Sequence, residues 1–268
     1  MKVIAAWLRR GMKSLFVLNL AALWLLLREG RKMAVAYMRQ AYTLYLHRAF
    51  LPLRTTVPPL LPSVVVTELF PDIDLSQVEL LFPLPRPGGI ALEELVIIAC
   101  LVRHLKPKRL VEIGTAEGRT TLNLALHTPA DAEIFTFDLP PTHLGATVAE
   151  SGLNYRQMGI PEPGCLFRSH PLAGKIRLIL ADSTQFDWSP FENSVDFVFI
   201  DGAHDYLSVR KDTENALRLL RPRGVILWHD YGVAEGVTLW LNELAKDLPL
   251  VWLKDTSLAC LIRRSEEG

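Results

Sequence analysis

The chain has 268 residues, enough for one large domain and an additional segment. Its 29 basic and 29 acidic residues leave a formal net charge of zero, so no general attraction to nucleic acid is expected and no nucleic-acid partner is predicted. Half of the residues are hydrophobic, with much of the excess in the first fifty positions.

Residues 1–50 are predicted to form one helical extension. Its stretch 14–27 is apolar and uncharged, with arginine and lysine on both sides. As a helix this stretch spans about 21 Å, short of the roughly 30 Å hydrocarbon core of a membrane. Three interpretations stay open: a helix lying on an anionic membrane surface, a helix buried in a homodimer or against the main domain, and a signal peptide cleaved near Ala36. The signal peptide is least favoured, because the charged run 28–32 separates the apolar stretch from that site.

Residues 51–89 are rich in proline and end in two glycines, which is typical of a linker or a wrap and not of a packed domain. The main domain is therefore predicted to cover residues 90–268.

Helical and strand patterns alternate from residue 90 onward, which predicts an α/β, Rossmann-like sheet, mostly parallel, with helices on both faces. The predicted helices are 91–105, 118–127, 206–220 and 233–246; the predicted strands are 109–113, 133–138, 175–181, 195–201 and 224–230, followed by a terminal pair at 248–253 and 258–263. The long insert 139–174 is predicted to be a lid or a surface loop, with Tyr155, Arg156 and Arg168 as candidates for substrate contact.

Polar residues follow five of the predicted strands. The carboxyl ends of parallel strands meet at one edge of a sheet, where ligands bind. These strand-end residues are Glu112 and Gly114, Asp138, Asp182 and Ser183, Asp201, and His229 and Asp230. Asp182 and Asp201 could instead serve only as helix N-caps, but five polar strand ends together favour a ligand site.

The turn after the first of these strands carries a distinctive glycine spacing. Its sequence, EIGTAEGRT at 112–120, does not have the G-x-G-x-x-G spacing of dinucleotide-binding domains. It resembles the first motif of class I S-adenosylmethionine (SAM) methyltransferases, E/D-x-G-x-G-x-G, with Ala116 in place of the middle glycine. This variant is similar to the catechol-type O-methyltransferases and their bacterial small-molecule relatives.

Two further stretches strengthen the resemblance. DFVFIDGAHDY at 196–206 and LRPRGVILWHDY at 220–231 are similar to the F-I-D-G-x-H-x-Y and L-x-P-G-G-x-x-x-x-H-D patterns of a bacterial methyltransferase family. Arg223 replaces the first glycine of the second pattern. The similarity covers about residues 90–263 and implies SAM-dependent methylation of a hydroxyl group on a small-molecule acceptor. The terminal strand pair resembles the antiparallel edge of the methyltransferase sheet.

The resemblance also implies which residues bind SAM. Glu112, Gly114 and Thr120 would hold its amino-acid end, Asp138 its ribose, and Asp182 and Ser183 would flank its adenine. Thr115 and Gly118 complete the predicted cofactor-binding set.

In the catechol-type relatives, two acids at strand ends bind a divalent cation, usually Mg²⁺. The matching residues are Asp201 and Asp230, but Tyr231 stands where the relatives have a third ligand. Waters could complete the site, or His204 or His229 could form a different one. His204 occupies the position of the relatives' general base and is predicted to accept the acceptor's proton, with a purely structural contact as the alternative.

Two other functions remain open from the sequence: a nicotinamide-dependent oxidoreductase, and a non-catalytic SAM-fold protein tethered through residues 1–50. The predicted location is the cytoplasm, where SAM is made, with peripheral contact to the membrane or homodimer formation through residues 1–50. The scattered cysteines Cys100, Cys165 and Cys260 form no zinc pattern and agree with a reducing compartment.

Overall fold

An eight-stranded sheet lies at the centre of the computed structural model, which describes residues 55–84, 89–140 and 162–263. The strands are β1 (Ser63–Val64), β2 (Arg109–Ile113), β3 (Glu133–Asp138), β4 (Ile176–Leu180), β5 (Val195–Ile200), β6 (Leu220–Trp228), β7 (Val251–Leu253) and β8 (Ala259–Ile262). Their order in the sheet is β1-β7-β8-β6-β5-β2-β3-β4. Neighbouring strands are parallel except at β8, which is antiparallel to both β6 and β7. The predicted fold class is confirmed, including its antiparallel terminal pair.

Helices cover both faces of this sheet. They are α1 (Val66–Leu69), α2 (Leu92–Leu105), α3 (Arg119–His127), α4 (Tyr206–Leu219) and α5 (Glu235–Leu244). Side chains along a strand point alternately to opposite faces, and β5 shows this directly. Its Phe197 and Phe199 join a core cluster with residues of α2 and α3, whereas Val198 and Ile200 join a second cluster with residues of α4 and α5. Among these described helices, none is long and apolar enough to cross a membrane.

One strand begins earlier than predicted. β6 starts at Leu220 and not at Gly224, because Leu220 pairs with Val195 before a bulge shifts the register and Val225 pairs with Phe197. Arg223 lies in this irregular stretch with a φ of 65°.

The described part of the proline-rich segment packs onto the sheet. Residues 57–84 lie in the same compact unit as the domain, so that unit begins before the predicted start at residue 90. β1 extends the sheet beside β7, and Leu61, Val66 and Phe70 are buried. The predicted helical extension 1–50 lies outside the described residues, as do residues 141–161 of the insert, with Tyr155 and Arg156.

Candidate active site

The glycine turn after β2 lies directly against the end of β5. Gly114 has a φ of 99°, and a Cβ atom added to it would lie 2.0 Å from the backbone oxygen of Asp201. The backbone N–H of Asp201 in turn donates to the Ile113 oxygen at 2.8 Å. A glycine is therefore required at 114 so that two parts of the protein's own backbone can meet.

Asp138, at the end of β3, closes this turn. Its Oδ2 accepts hydrogen bonds from the backbone N–H groups of Thr115 at 3.0 Å and Ala116 at 2.8 Å, and its Oδ1 accepts from the N–H of Leu139. Ala116 is in the left-handed region, with a φ of 47°. The predicted ribose-binding acid thus also fixes the conformation of the predicted cofactor-binding turn.

Glu112 lies inside the protein, below the turn. Its side chain is fully buried, and its Oε2 accepts hydrogen bonds from the hydroxyls of Thr121 and Thr136, both at 2.5 Å. The hydroxyls of Thr136 and Thr115 are 2.6 Å apart, which connects Glu112 to the turn. The carboxyl therefore supports the turn from within, whereas Thr120 is half-buried in the first turn of α3. Burial and the charges of Asp201 and Asp138 outweigh the two hydroxyl hydrogen bonds and raise the pKa of Glu112 to about 8.

The end of the long insert contacts the outer side of the turn. The N–H of Gly164 donates to the Ala116 oxygen at 2.8 Å, and the N–H of Leu166 donates to the Glu117 oxygen at 3.0 Å. The ring of Phe167 fills the space beside Gly118, where a Cβ atom would otherwise lie. Arg168, predicted to contact substrate, forms an ion pair with Glu162.

The residues predicted beside adenine form a local turn. The carboxylate of Asp182 accepts hydrogen bonds from the N–H and hydroxyl of Thr184 and from the side chain of Gln185. The backbone oxygen of Ser183 accepts from the side chains of Trp188 and Asn215. Asp182 therefore stabilises a turn in the loop after β4 and is not a helix N-cap, because no helix follows it there.

Two acids and two histidines meet at the ends of β5 and β6. The Nδ1 of His229 lies 3.0 Å from the Oδ1 of Asp201 and 3.5 Å from the Oδ1 of Asp230. The Nε2 of His204 lies 3.1 Å from the Oδ2 of Asp230 and 3.8 Å from the Oδ1 of Asp201. One ligand atom each from Asp201, His229 and Asp230 lies within 4.8 Å of the others, which is compatible with a shared cation.

The structure adds an acid that the sequence analysis missed. Glu94 on α2 is buried, and its Oε2 lies 3.1 Å from the Nε2 of His229. Glu94 lies four residues before Ile98 and seven before Leu101, which places all three on one face of a helix. This spacing is the sequence signal for the burial of Glu94.

A comparison with protein families identifies the segment that carries this site. Residues 111–231 match a family described as a methyltransferase domain. They include the glycine turn, Asp138, and the acids and histidines at the ends of β5 and β6.

Known proteins similar to this chain were found by sequence and by structure. An uncharacterized protein, y4gI, from Sinorhizobium fredii is 30% identical over 155 residues, which are 56% of this chain and 16% of that protein. A methyltransferase from Podospora anserina, PaMTH1, solved with S-adenosylhomocysteine (SAH) bound, has a TM-score of 0.49 and 18% identity, covering 67% of this chain and 81% of that one. An O-methyltransferase from Bacillus cereus in complex with SAH has a TM-score of 0.47 and 18% identity, and the match covers 66% of this chain and 83% of that one.

The side chain of Tyr231 points away from the acids and histidines. Its hydroxyl is bonded by the N–H groups of Leu60 at 2.7 Å and Leu61 at 2.8 Å, and it donates to the Oδ1 of Asn242 at 2.7 Å. Tyr231 therefore holds the proline-rich segment and does not take the place of the relatives' third metal ligand.

The pKa values of the two histidines and of Glu94 are shifted by their charged neighbours. Burial lowers the pKa of His229, but the carboxylates of Asp201 and Asp230 outweigh it and raise the pKa well above the usual range. The same two acids outweigh burial at His204 and raise its pKa. At Glu94, burial raises the pKa, but His229 and the hydrogen bonds from Ser257 outweigh burial and bring the pKa to about 2.

Proposed function

We propose that this protein transfers a methyl group from SAM to a hydroxyl oxygen of a small molecule. One observation carries the proposal: the glycine turn closed by Asp138 lies in contact with the backbone of Asp201, next to His204 and Asp230. A site for a methyl donor and a group able to accept a proton are therefore neighbours at one edge of the sheet. The match of residues 111–231 to a methyltransferase domain supports the same assignment.

The turn and Asp138 would hold SAM. SAM, when bound, supplies a reactive methyl group on a sulfonium, so the protein's task is to orient donor and acceptor. A carboxylate at the end of β3 suits the ribose hydroxyls, and the N-terminus of α3, with Thr120 in its first turn, suits a carboxylate. Thr115 and Ala116 keep Asp138 oriented through their N–H groups.

His204 would accept the proton of the acceptor hydroxyl. Its side chain is 37% exposed, with its Nε2 buried beside the acids, so the rest of the ring is open to an acceptor. Its Nε2 lies beside Asp230, whose negative charge stabilises the ring once it carries a proton. This arrangement supports the base role over a purely structural contact.

The acids and His229 fit a divalent cation. Asp201 and Asp230 offer carboxylate oxygens and His229 offers its Nδ1, which is buried and makes no hydrogen bond within the described residues. A bound cation would lower the pKa of a hydroxyl oxygen placed on it. The carboxylates make Mg²⁺ a suitable first cation to test, with waters completing its shell.

Calorimetric titration of the purified protein with SAM and SAH, each with and without Mg²⁺, tests the proposal. We expect binding of both, at least about tenfold weaker in Asp138→Ala, because the variant loses the ribose contact and the acceptor for two turn amides. Asp131→Ala is the matched control, since Asp131 is exposed and pairs only with Lys108 among the described residues. Binding of NADH and not of SAM would refute the methyltransferase assignment in favour of an oxidoreductase.

We also propose that residues 1–50 join the protein to the cytoplasmic face of an anionic membrane or to a second copy of the chain. The apolar stretch 14–27 with basic flanks supports both. Flotation with anionic vesicles tests membrane attachment and light scattering tests dimer formation, each with and without residues 1–50. Equal behaviour of both forms in both assays would refute this proposal.

A further inference from the structure

Glu94 makes an unusually complete set of hydrogen bonds for a buried acid. Its Oε1 accepts from the N–H of Ser257 at 2.6 Å and from the Ser257 hydroxyl at 2.7 Å. Its Oε2 accepts from the N–H of Ala91 at 3.1 Å and lies 3.1 Å from the Nε2 of His229. Two backbone N–H groups and a hydroxyl already point at its oxygens, which is the environment of an ionised carboxylate.

This environment assigns the proton on His229. An ionised carboxylate only accepts hydrogen bonds, so the Nε2 of His229 must carry a hydrogen and donate it to Glu94. The other nitrogen, Nδ1, is then the one that a cation can take as a ligand, because binding displaces any proton held there and frees its lone pair.

The Nδ1 of His229 faces the two acids without bonding to them. It is 3.0 Å from the Oδ1 of Asp201, yet the groups are not aligned for a hydrogen bond, and Nδ1 has no hydrogen-bond partner among the described residues. The side chain of His229 is only 10% exposed, so water does not readily take that role. A buried nitrogen that faces two carboxylates, on a ring whose second nitrogen is held by an outer carboxylate, has the arrangement of a metal ligand.

We propose that Glu94 is a positioning residue that holds His229 as a nitrogen ligand, so that the site formed with Asp201 and Asp230 prefers a first-row transition-metal cation to Mg²⁺. The proposal rests on the cation part of the proposed function and names the class of cation. Oxygen ligands suit Mg²⁺, whereas an imidazole nitrogen suits cobalt, iron, nickel or zinc. Ser257 stabilises the arrangement, because its hydroxyl bonds Glu94 and also accepts from the N–H of Asp230 at 3.3 Å.

Glu94→Gln is expected to reverse the direction of the hydrogen bond between residue 94 and His229 with little change in side-chain shape. Two donors of Ser257 require an acceptor on one side and only the N–H of Ala91 requires one on the other, so the amide oxygen of glutamine is expected to face Ser257. Its NH₂ group then faces His229, and the N–H of Ala91 loses its acceptor. The Nε2 of His229 must then accept, which moves the hydrogen onto Nδ1 and directs it into the metal site. Glu93→Gln is the matched control, because Glu93 is the preceding residue of α2 and is exposed.

The test is titration of the full chain with Co²⁺ and with Mg²⁺ by calorimetry, in the presence of SAH, with the visible absorption of bound Co²⁺ as a second readout. We expect wild type and Glu93→Gln to bind Co²⁺ more tightly than Mg²⁺. Glu94→Gln is expected to lose about 10- to 100-fold in Co²⁺ affinity and to change the Co²⁺ spectrum, which a purely structural role for Glu94 would leave unchanged. Co²⁺ affinity and spectrum equal to those of Glu93→Gln would overturn the proposal.

A second variant keeps the proposal testable if Glu94→Gln does not fold. His229→Asn places an amide oxygen near the position of Nδ1, so the preference for Co²⁺ over Mg²⁺ is expected to fall by at least about tenfold. An unchanged preference would overturn the proposal. SAH binding in wild type reports separately on the proposed function: a chain that binds SAH but neither cation overturns only the inference, and a chain that does not bind SAH overturns the methyltransferase assignment.

Discussion

Replacing Tyr231 with phenylalanine removes one hydroxyl and leaves the ring in its buried place. In the wild type that oxygen accepts from the N–H groups of Leu60 and Leu61 and donates to Asn242. The N–H of Leu60 keeps a second partner, the Oδ1 of Asn242 at 3.1 Å. The N–H of Leu61 is buried and loses its acceptor.

The expected loss of stability follows from that one orphaned donor. A buried N–H without a partner costs about 1–3 kcal/mol in free energy of unfolding. For a unit of this size, about 2 kcal/mol corresponds to a fall in Tm of roughly 4–8 °C. Cation affinity is expected to stay unchanged, because the hydroxyl points away from Asp201 and Asp230.

Thermal and urea unfolding give the stability, and amide hydrogen exchange gives its location. Exchange is expected to accelerate at Leu61 and in β1, where the segment is attached. Tyr206→Phe is the matched control, since its hydroxyl bonds Glu243 at an exposed site and its loss is expected to cost less than about 0.5 kcal/mol. A large fall in cation affinity with unchanged stability would refute our account and make Tyr231 a metal ligand.

Three further changes have distinct expected outcomes. The pKa of Glu112 is about 8 in the folded protein and 4.5 ordinarily, so the folded state holds the proton more tightly than the unfolded state. The free energy of unfolding therefore falls as pH rises between these two values, by up to about 1.4 kcal/mol per pH unit. Glu112→Gln should flatten this slope in urea unfolding between about pH 5 and pH 7.5, and an equal slope in both proteins would contradict the assignment. Ala116→Gly relieves a left-handed φ, so stability is expected to stay the same or rise by up to about 1 kcal/mol, with SAM affinity retained. A clear loss of stability in thermal unfolding would contradict this expectation. His204→Gln should lower SAH formation with a hydroxyl acceptor that the wild type methylates by about 10²- to 10⁴-fold without weakening SAM binding, and full turnover would exclude His204 as the base.

The strands β2 to β6 could be predicted because their burial is encoded locally. Each is a run of apolar residues ending in a polar one, and β3 has the predicted bounds. β1 could not be predicted, because it is two residues long, lies between prolines, and forms only by pairing with β7 far along the chain. The early start of β6 likewise depends on Leu220 meeting Val195 across a bulge.

The site was predictable where its residues end strands and hidden where they do not. Asp201, His229 and Asp230 meet because parallel strands bring their ends to one edge. Glu94 is held by Ser257, which is 163 positions away, so no local pattern shows its partner. The direction of Tyr231 was also hidden, because Asp230 has a φ of 61° and breaks the alternation that would otherwise place the side chain.

The contact between Gly114 and Asp201 has a thermodynamic consequence for the two halves of the site. A Cβ atom would not fit between them, so the turn and the end of β5 have no slack in which to move independently. If SAH and a cation both bind as proposed, the factor by which SAH changes cation affinity must equal the factor by which the cation changes SAH affinity. The close contact at Gly114 is the path by which the two sites would be coupled, and four titrations that close a cycle give the coupling free energy.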